Sequence, residues 1–168
     1  MFTITLSVRS LLFALGLVGL GLLATVEAHA TNYNVDTTAD IIPFPPDPRI
    51  SLRSALNSAN SNPGPDKIIL PAGKYTLTIT GSGDDTNSFG DLDIRDSVTI
   101  TGAGPDKTII DGNASDRVFD ILFSFKTEGI SVVLNNLTIQ NGKVTPTMGL
   151  DSGGGIRNRE NLTLNNVV

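Results

Sequence analysis

The sequence predicts an all-β solenoid, a fold in which short strands stack in successive coils. The main observation is a repeat: residues 131–138 (Ser-Val-Val-Leu-Asn-Asn-Leu-Thr) return as residues 161–168 (Asn-Leu-Thr-Leu-Asn-Asn-Val-Val), and residues 97–102 are a looser copy upstream. One such strand cannot bury its apolar face alone, whereas stacked copies build a continuous core. Strand periodicity by itself also allows a sandwich of short strands, so both architectures stay open at this point.

The first thirty residues have the pattern of an export signal. Arg9 precedes an apolar run over residues 11–24, and Ala28, His29 and Ala30 give the small-x-small sequence that a signal peptidase recognises. The run is short for a membrane span, and an uncleaved anchor is the alternative. We predict a signal peptide over residues 1–30, cleavage after Ala30, and a mature chain that is secreted or held at the cell surface.

The composition excludes several classes of function. His29 is the only histidine, it leaves with the signal peptide, and the chain has no cysteine or tryptophan. The mature chain therefore lacks the side chains for a Ser-His-Asp or Cys-His site, for the usual zinc sites and for a disulfide scaffold. A formal net charge of −5 without a basic stripe argues against a nucleic-acid partner.

The start of the mature chain differs from the rest. A short strand is predicted at residues 33–35, and four prolines within residues 41–49 prevent regular structure there. A helix is predicted at residues 51–60, with Ser51 as its N-cap and the Asn-Pro-Gly-Pro sequence at 62–65 ending it. Its apolar stripe consists of Leu52, Ala55, Leu56 and Ala59.

Everything after the helix has the pattern of strands and turns. Five stretches alternate apolar and polar residues, as half-buried strands do: 75–80, 91–95, 98–101, 137–140 and 162–165. Two shorter apolar runs, 68–70 and 109–110, suit enclosed strands. We assign residues 31–66 to an N-terminal cap and residues 67–168 to coils that stop without a terminal cap.

The helix region carries a family resemblance. Residues 49–60 resemble the N-terminal motif Cys-Ser-Leu-Arg-Glu-Ala of a family of bacterial exported β-helix proteins in the pectate-lyase-like superfamily. The similarity continues, in order, through 63–76, 90–94, 100–104, 109–112, 153–158 and 162–166. It implies a right-handed parallel β-helix whose open first rung is capped by the helix, and it decides against the sandwich. Ile50 and Ser54 replace the motif's cysteine and glutamate, so any metal, disulfide or salt-bridge role of those positions is absent.

The repeat also aligns Asn136 with Asn166. If the two residues stack on adjacent coils, their side-chain amides can hydrogen-bond in a ladder. Two solvated turn asparagines are the alternative.

An acidic cluster between residues 83 and 96 holds the only candidate metal ligands. They are Asp84, Asp85, Asn87, Asp91, Asp93 and Asp96. Oxygen-rich loops bind calcium, and Asp85, Asn87, Gly90 and Asp96 have offsets similar to those of an EF-hand loop, although Phe89 occupies a ligand position and Asp96 replaces the glutamate. Instead of a calcium site, we expect an acidic surface loop followed by a strand that has Asp91, Asp93 and Arg95 in solvent. We expect no cofactor other than this calcium candidate.

Two further pairs of charged residues share a strand face. Asp91 and Asp93 would lie about 6.6–7 Å apart, a spacing compatible with two acids across a glycosidic bond, although solvated aspartates are the commoner arrangement. Arg157 and Arg159 could meet an anionic sugar, but we favour solvation for both.

Three functions follow from these observations. The first is an exported, adhesion-type scaffold that binds polysaccharide or cell-surface glycan and has no catalytic residues within this chain. The second is a lyase or hydrolase of the pectin-degrading type, because such enzymes share the β-helix fold. The third is that the chain is the N-terminal section of a larger surface protein, since it stops inside a repeat unit; its open last rung would otherwise allow self-association.

Overall fold

The chain folds as a parallel β-solenoid of about four turns with one short helix. The computed structural model describes residues 29–44, 47–144 and 153–168, so the predicted signal peptide lies almost wholly outside the described residues. Every strand pair in these ranges runs parallel. This confirms the predicted solenoid, because sandwiches of short strands are built from antiparallel pairs.

The strands form three stacks. In chain order the strands are β1 (Asn32–Asn34), β2 (Asp66–Ile69), β3 (Gly73–Thr76), β4 (Leu92–Ile94), β5 (Val98–Thr101), β6 (Thr108–Asp111), β7 (Phe119–Ile121), β8 (Ser131–Gln140), β9 (Ile156–Asn158) and β10 (Asn161–Val167). The first stack is β1-β2-β5-β8-β10, the second is β3-β6-β8, and the third is β4-β7-β9. Strand β8 belongs to two stacks because its first half pairs with β5 and its second half with β6.

The bend in β8 lies at Asn136, which adopts a left-handed backbone conformation with φ 54°. Asn166, at the equivalent position of β10, has the same φ. The Asn166 Nδ2 donates to the Asn136 Oδ1 at 2.9 Å, and the neighbouring Asn165 and Asn135 form the same bond. The predicted asparagine ladder is therefore confirmed, and it stands where the chain turns a corner.

The helix, α1 (Leu52–Ser61), agrees with its predicted bounds to within one residue. Ser51 is the N-cap: its Oγ accepts from the Ser54 N–H at 3.1 Å, and the Ser54 Oγ accepts from the Ser51 N–H at 2.9 Å. Ser54 thus completes the capping box that a glutamate usually completes. The buried face of α1 packs against β1, β2 and β4. The preceding proline-rich stretch is irregular where it is described, as predicted.

Aliphatic side chains fill the interior in register. Ile68, Ile100 and Leu134 occupy matching positions on β2, β5 and β8, and all three are fully buried. Such stacking is the way a solenoid builds one continuous core from short strands.

Among the described residues, no helix is long and apolar enough to cross a membrane.

One predicted strand is shorter than expected. Alternation continues to residue 80, but β3 ends at Thr76. Beyond it, the backbone N–H groups of Thr78 and Ile79 donate to the Asp40 carboxylate at 2.8 and 2.9 Å instead of to a neighbouring strand. A side chain from the N-terminal region therefore ends the strand, which the local pattern could not reveal.

Candidate functional site

The third stack, β4-β7-β9, carries a row of charged side chains on one face. Its parallel register places Asp93, Asp120 and Arg157 side by side. Leu92 and Phe119, one position earlier on β4 and β7, are fully buried in the core. Since side chains alternate along a strand, the charged row lies on the outer face of this stack.

The loop before β4 covers part of that face. Asn87, buried with φ 61°, donates its backbone N–H to the Asp93 Oδ2 at 3.0 Å. Its side-chain amide also bonds to the Asp93 backbone, with Oδ1 accepting from N–H at 2.7 Å and Nδ2 donating to C=O at 2.8 Å. The expectation that Asp91 and Asp93 lie in solvent is therefore wrong, since they are only 3% and 0% exposed, whereas Arg95 is exposed as expected.

Beside this loop lies a cleft of about 480 Å³. The acidic residues of its wall are Asp84, Asp85, Asp91, Asp116 and Asp120. The basic residues are Arg117, Arg157 and Arg159. Five carboxylates against three guanidinium groups give the cleft wall a formal charge of −2 when all are ionised.

The charges of the cleft are partly paired with one another. Arg157 forms an ion pair with Asp120 through two hydrogen bonds: Nε donates to Oδ1 at 2.8 Å, and Nη2 donates to Oδ2. These hydrogen bonds raise the pKa of Arg157. The Arg117 Nη1 lies 3.8 Å from the Asp116 Oδ1 and 4.0 Å from the Asp91 Oδ2. The preference for solvating Arg157 is therefore wrong, whereas Arg159 is exposed at the rim of the cleft.

Two aspartates of the site have strongly shifted acidities. Burial, reinforced by the neighbouring Asp116 and Asp120 carboxylates, raises the pKa of Asp91 to about 7. Burial raises the pKa of Asp93 to about 8, although the Asn87 backbone N–H opposes the shift. The Asp93 Oδ1 is buried without a hydrogen-bond partner among the described residues. A pair of ordinary solvated aspartates would show none of these properties.

The structure brings together only some of the predicted calcium ligands. One carboxylate oxygen each from Asp85, Asp93 and Asp120 lies within 4.8 Å of the other two. Asp120 was missed because the three residues of β7 are too short a run to be identified as a strand. The same omission hid Asp116 and Arg117, which directly precede β7.

The remaining candidates have other roles. Asp84 organises its own loop by accepting from the Thr86 hydroxyl at 2.6 Å and from the Ser88 N–H at 2.6 Å. Asp96 is ion-paired with Lys126. Asp91 faces Arg117, and the side chain of Asn87 is taken up by the Asp93 backbone. The EF-hand-like spacing therefore does not produce an EF-hand-like arrangement.

A buried arginine of α1 supports the floor of the cleft. Arg53 donates to the backbone C=O groups of Gly90 and Asp91 at 2.8 and 3.0 Å. It is held in turn by Asp40, with its Nε 2.6 Å from Oδ1 and its Nη2 3.1 Å from Oδ2. The position of Asp91 is thereby tied to the helix and to the N-terminal region.

Comparisons with protein-family models, with curated proteins and with solved structures find no match to this chain. The function of the site is therefore inferred from its own geometry and charge.

Proposed function

We propose that this protein is an exported, right-handed parallel β-helix that binds a hydroxyl-rich polysaccharide in the cleft beside β4, β7 and β9, without altering it chemically. The observation that carries the proposal is the cleft itself, in which carboxylates and guanidinium groups are held in place by one another. Sugar hydroxyl groups both donate and accept hydrogen bonds. A wall that offers the exposed Asp85 carboxylate as acceptor and the exposed Arg159 guanidinium group as donor complements them.

The pairing of the wall residues favours binding. Arg157 is fixed by Asp120, and the backbone before β4 is fixed by Arg53, so little side-chain freedom is lost when a ligand binds. In the metal-free protein the surplus of carboxylates repels a polyanion, and in that state we therefore favour a neutral polysaccharide over a uronate polymer. The flat face of stacked strands suits an extended chain.

The role proposed for α1 is that of a cap on the first coil. The helix buries Leu52, Leu56 and Ala59 at the end of the solenoid where β1 and β2 begin the first stack. An uncovered end would expose apolar side chains and unpaired strand groups, which promote aggregation.

The right-handed coil is supported by the strong handedness preference of parallel strand connections and by the family resemblance. Export is supported by the apolar segment at residues 11–24.

Binding is tested by isothermal titration calorimetry of the full chain against soluble neutral β-glucan, mannan and xylan, with polygalacturonate as the anionic comparison. We expect binding to at least one neutral polymer, and weaker or no binding to polygalacturonate. Arg159→Gln should weaken binding, because Arg159 is an exposed donor of the cleft wall. Arg95→Gln, which removes an exposed arginine outside that wall, is the matched control. Failure of every neutral polymer to bind would reject the proposal.

Cleavage of polysaccharide is the second candidate function. It is favoured by one observation, the grouping of the Asp91, Asp116 and Asp120 carboxyl groups and the Arg157 guanidinium group around a single cleft. Incubation with the same polymers, followed by assays for new reducing ends and for unsaturated products, separates the two functions. Cleavage that Asp91→Asn abolishes would establish an enzyme, whereas binding without cleavage would support the scaffold.

A further inference from the structure

We propose that Asp85, Asp93 and Asp120 form a calcium-binding site on the outer face of the third stack. Asp93 and Asp120 are neighbours in the register of β4 and β7, and Asp85 reaches them from the loop before β4. One carboxylate oxygen from each lies within 4.8 Å of the other two. Three separate segments therefore supply oxygen ligands to one point.

An independent observation indicates that a cation belongs there. Asp93 is fully buried, and its Oδ2 accepts the Asn87 N–H, yet its Oδ1 has no hydrogen-bond partner in the described part of the chain. A buried carboxylate oxygen without a partner is costly, because it has lost its water and gained nothing in return. A bound cation would supply the missing interaction.

The ion pair between Asp120 and Arg157 is compatible with such a site. A carboxylate has about four lone-pair positions, and the fork of an arginine occupies two of them. Asp85 is exposed on its loop, so its side chain can adjust to the ion. The three ligand carboxylates carry a formal charge of −3 when ionised and the paired Arg157 returns +1, which leaves −2 for a divalent cation to neutralise.

The chemistry of the ligands selects calcium. The three groups offer oxygen only, the donor set of hard cations. Calcium binds oxygen at about 2.3–2.6 Å, so two ligands of one ion lie at most about 4.6–5.2 Å apart. Three oxygens within 4.8 Å of one another are compatible with that limit. Magnesium requires a smaller and more regular octahedron at about 2.0–2.1 Å. Water or a hydroxyl group of a bound molecule would complete the calcium shell.

This inference goes beyond polysaccharide binding and does not depend on it, so the test uses the metal alone. The full chain is freed of metal with a chelator, and then CaCl2 or MgCl2 is added up to about 10 mM, above the Kd of roughly 10⁻⁴–10⁻³ M typical of extracellular calcium modules. We expect calcium to raise the thermal unfolding temperature, to give saturable heat in calorimetry, and to do both at lower concentration than magnesium.

Matched variants locate the site. Asp85→Asn removes an exposed loop ligand and should weaken calcium affinity by at least about tenfold without unfolding the protein. Asp106→Asn removes an exposed carboxylate elsewhere, with the same change of charge, and should leave the affinity unchanged. Asp93→Asn should abolish the calcium response; if that variant does not fold, Asp85→Asn decides the question alone. No response of the wild-type chain to calcium, an equal response to magnesium, or an unchanged affinity in Asp85→Asn would overturn the assignment.

Discussion

Replacement of Arg53 by methionine tests whether the N-terminal helix holds the candidate site in place. Arg53 is 1% exposed and donates four hydrogen bonds, two to the Asp40 carboxylate and two to the C=O groups of Gly90 and Asp91. Methionine fills much of the same volume but leaves the Asp40 carboxylate, whose side chain is 3% exposed, without its counter-ion. Removal of one partner from a buried ion pair typically costs about 3–5 kcal/mol.

We expect Arg53→Met to lower the free energy of unfolding by about that amount, out of the roughly 5–15 kcal/mol of an ordinary domain. Since 1 kcal/mol corresponds to about 2–4 °C for a domain of 150–250 residues, the unfolding temperature should fall by roughly 6–20 °C. Urea denaturation followed by circular dichroism measures the change. The double variant Arg53→Met, Asp40→Leu should recover only part of the loss, because the N–H groups of Thr78 and Ile79 would then lack their acceptor.

Arg49→Met is the matched control. Arg49 also pairs with an aspartate, Asp47, at 2.6 Å, but the two side chains are 52% and 26% exposed. An exposed pair contributes little, so this variant should keep the wild-type midpoint. A loss of less than about 1 kcal/mol in Arg53→Met, or equal losses in both variants, would refute the assignment of Arg53 as the buried support of the site.

Two further predictions concern the corners of the solenoid and its response to acid. Asn136→Ala should lose the hydrogen bond to Asn166, and its free energy of unfolding should fall by about 1–2 kcal/mol more because alanine is strained in the left-handed conformation. Asn136→Gly should keep the turn and lose only the hydrogen bond. Equal urea midpoints for the two variants would contradict this. Burial favours the protonated form of Asp111, but hydrogen bonds from Lys74 and its other neighbours outweigh it and hold the pKa of Asp111 below its usual range. Because the pKa of Asp111 is lower in the folded than in the unfolded protein, the ionised carboxylate stabilises the fold at neutral pH, and this contribution is lost as the pH falls below about 4. The difference in unfolding free energy between wild type and Asp111→Asn should therefore narrow between pH 5 and pH 2. A difference that stays constant over this range would contradict the argument.

The repeating part of the fold was predictable from the sequence because its causes are local. The apolar-polar alternation and the repeated Asn-Asn pair fix strand faces and corners, and the repeat offset was enough to align Asn136 with Asn166. Helix α1 was equally accessible, since its N-cap and apolar stripe lie within ten residues. These features depend on neighbours in sequence or on an obvious copy of them.

The candidate site was only partly predictable because its causes are not local. Asp93 is buried because Asn87 clamps a loop over it, and nothing in the Asp-Leu-Asp-Ile pattern distinguishes that arrangement from a solvated strand face. Asp120 and Arg157 meet Asp93 only through the register of three coils that show no clear repeat of one another in this region. The acidic loop was identified, but its partners on β7 and β9 required the fold.

The most direct test of the proposed binding face is a backbone amide chemical-shift titration of the isotope-labelled protein with short neutral oligosaccharides of the β-glucan, mannan and xylan series. We predict saturable shifts grouped around the cleft, at residues 82–85, at Asp116 and Arg117, and at Arg157 and Arg159, with the exposed strand β10 unchanged. Shifts confined to β10 or to other surfaces, or no shift with any oligosaccharide, would contradict the assignment of this cleft as the functional site.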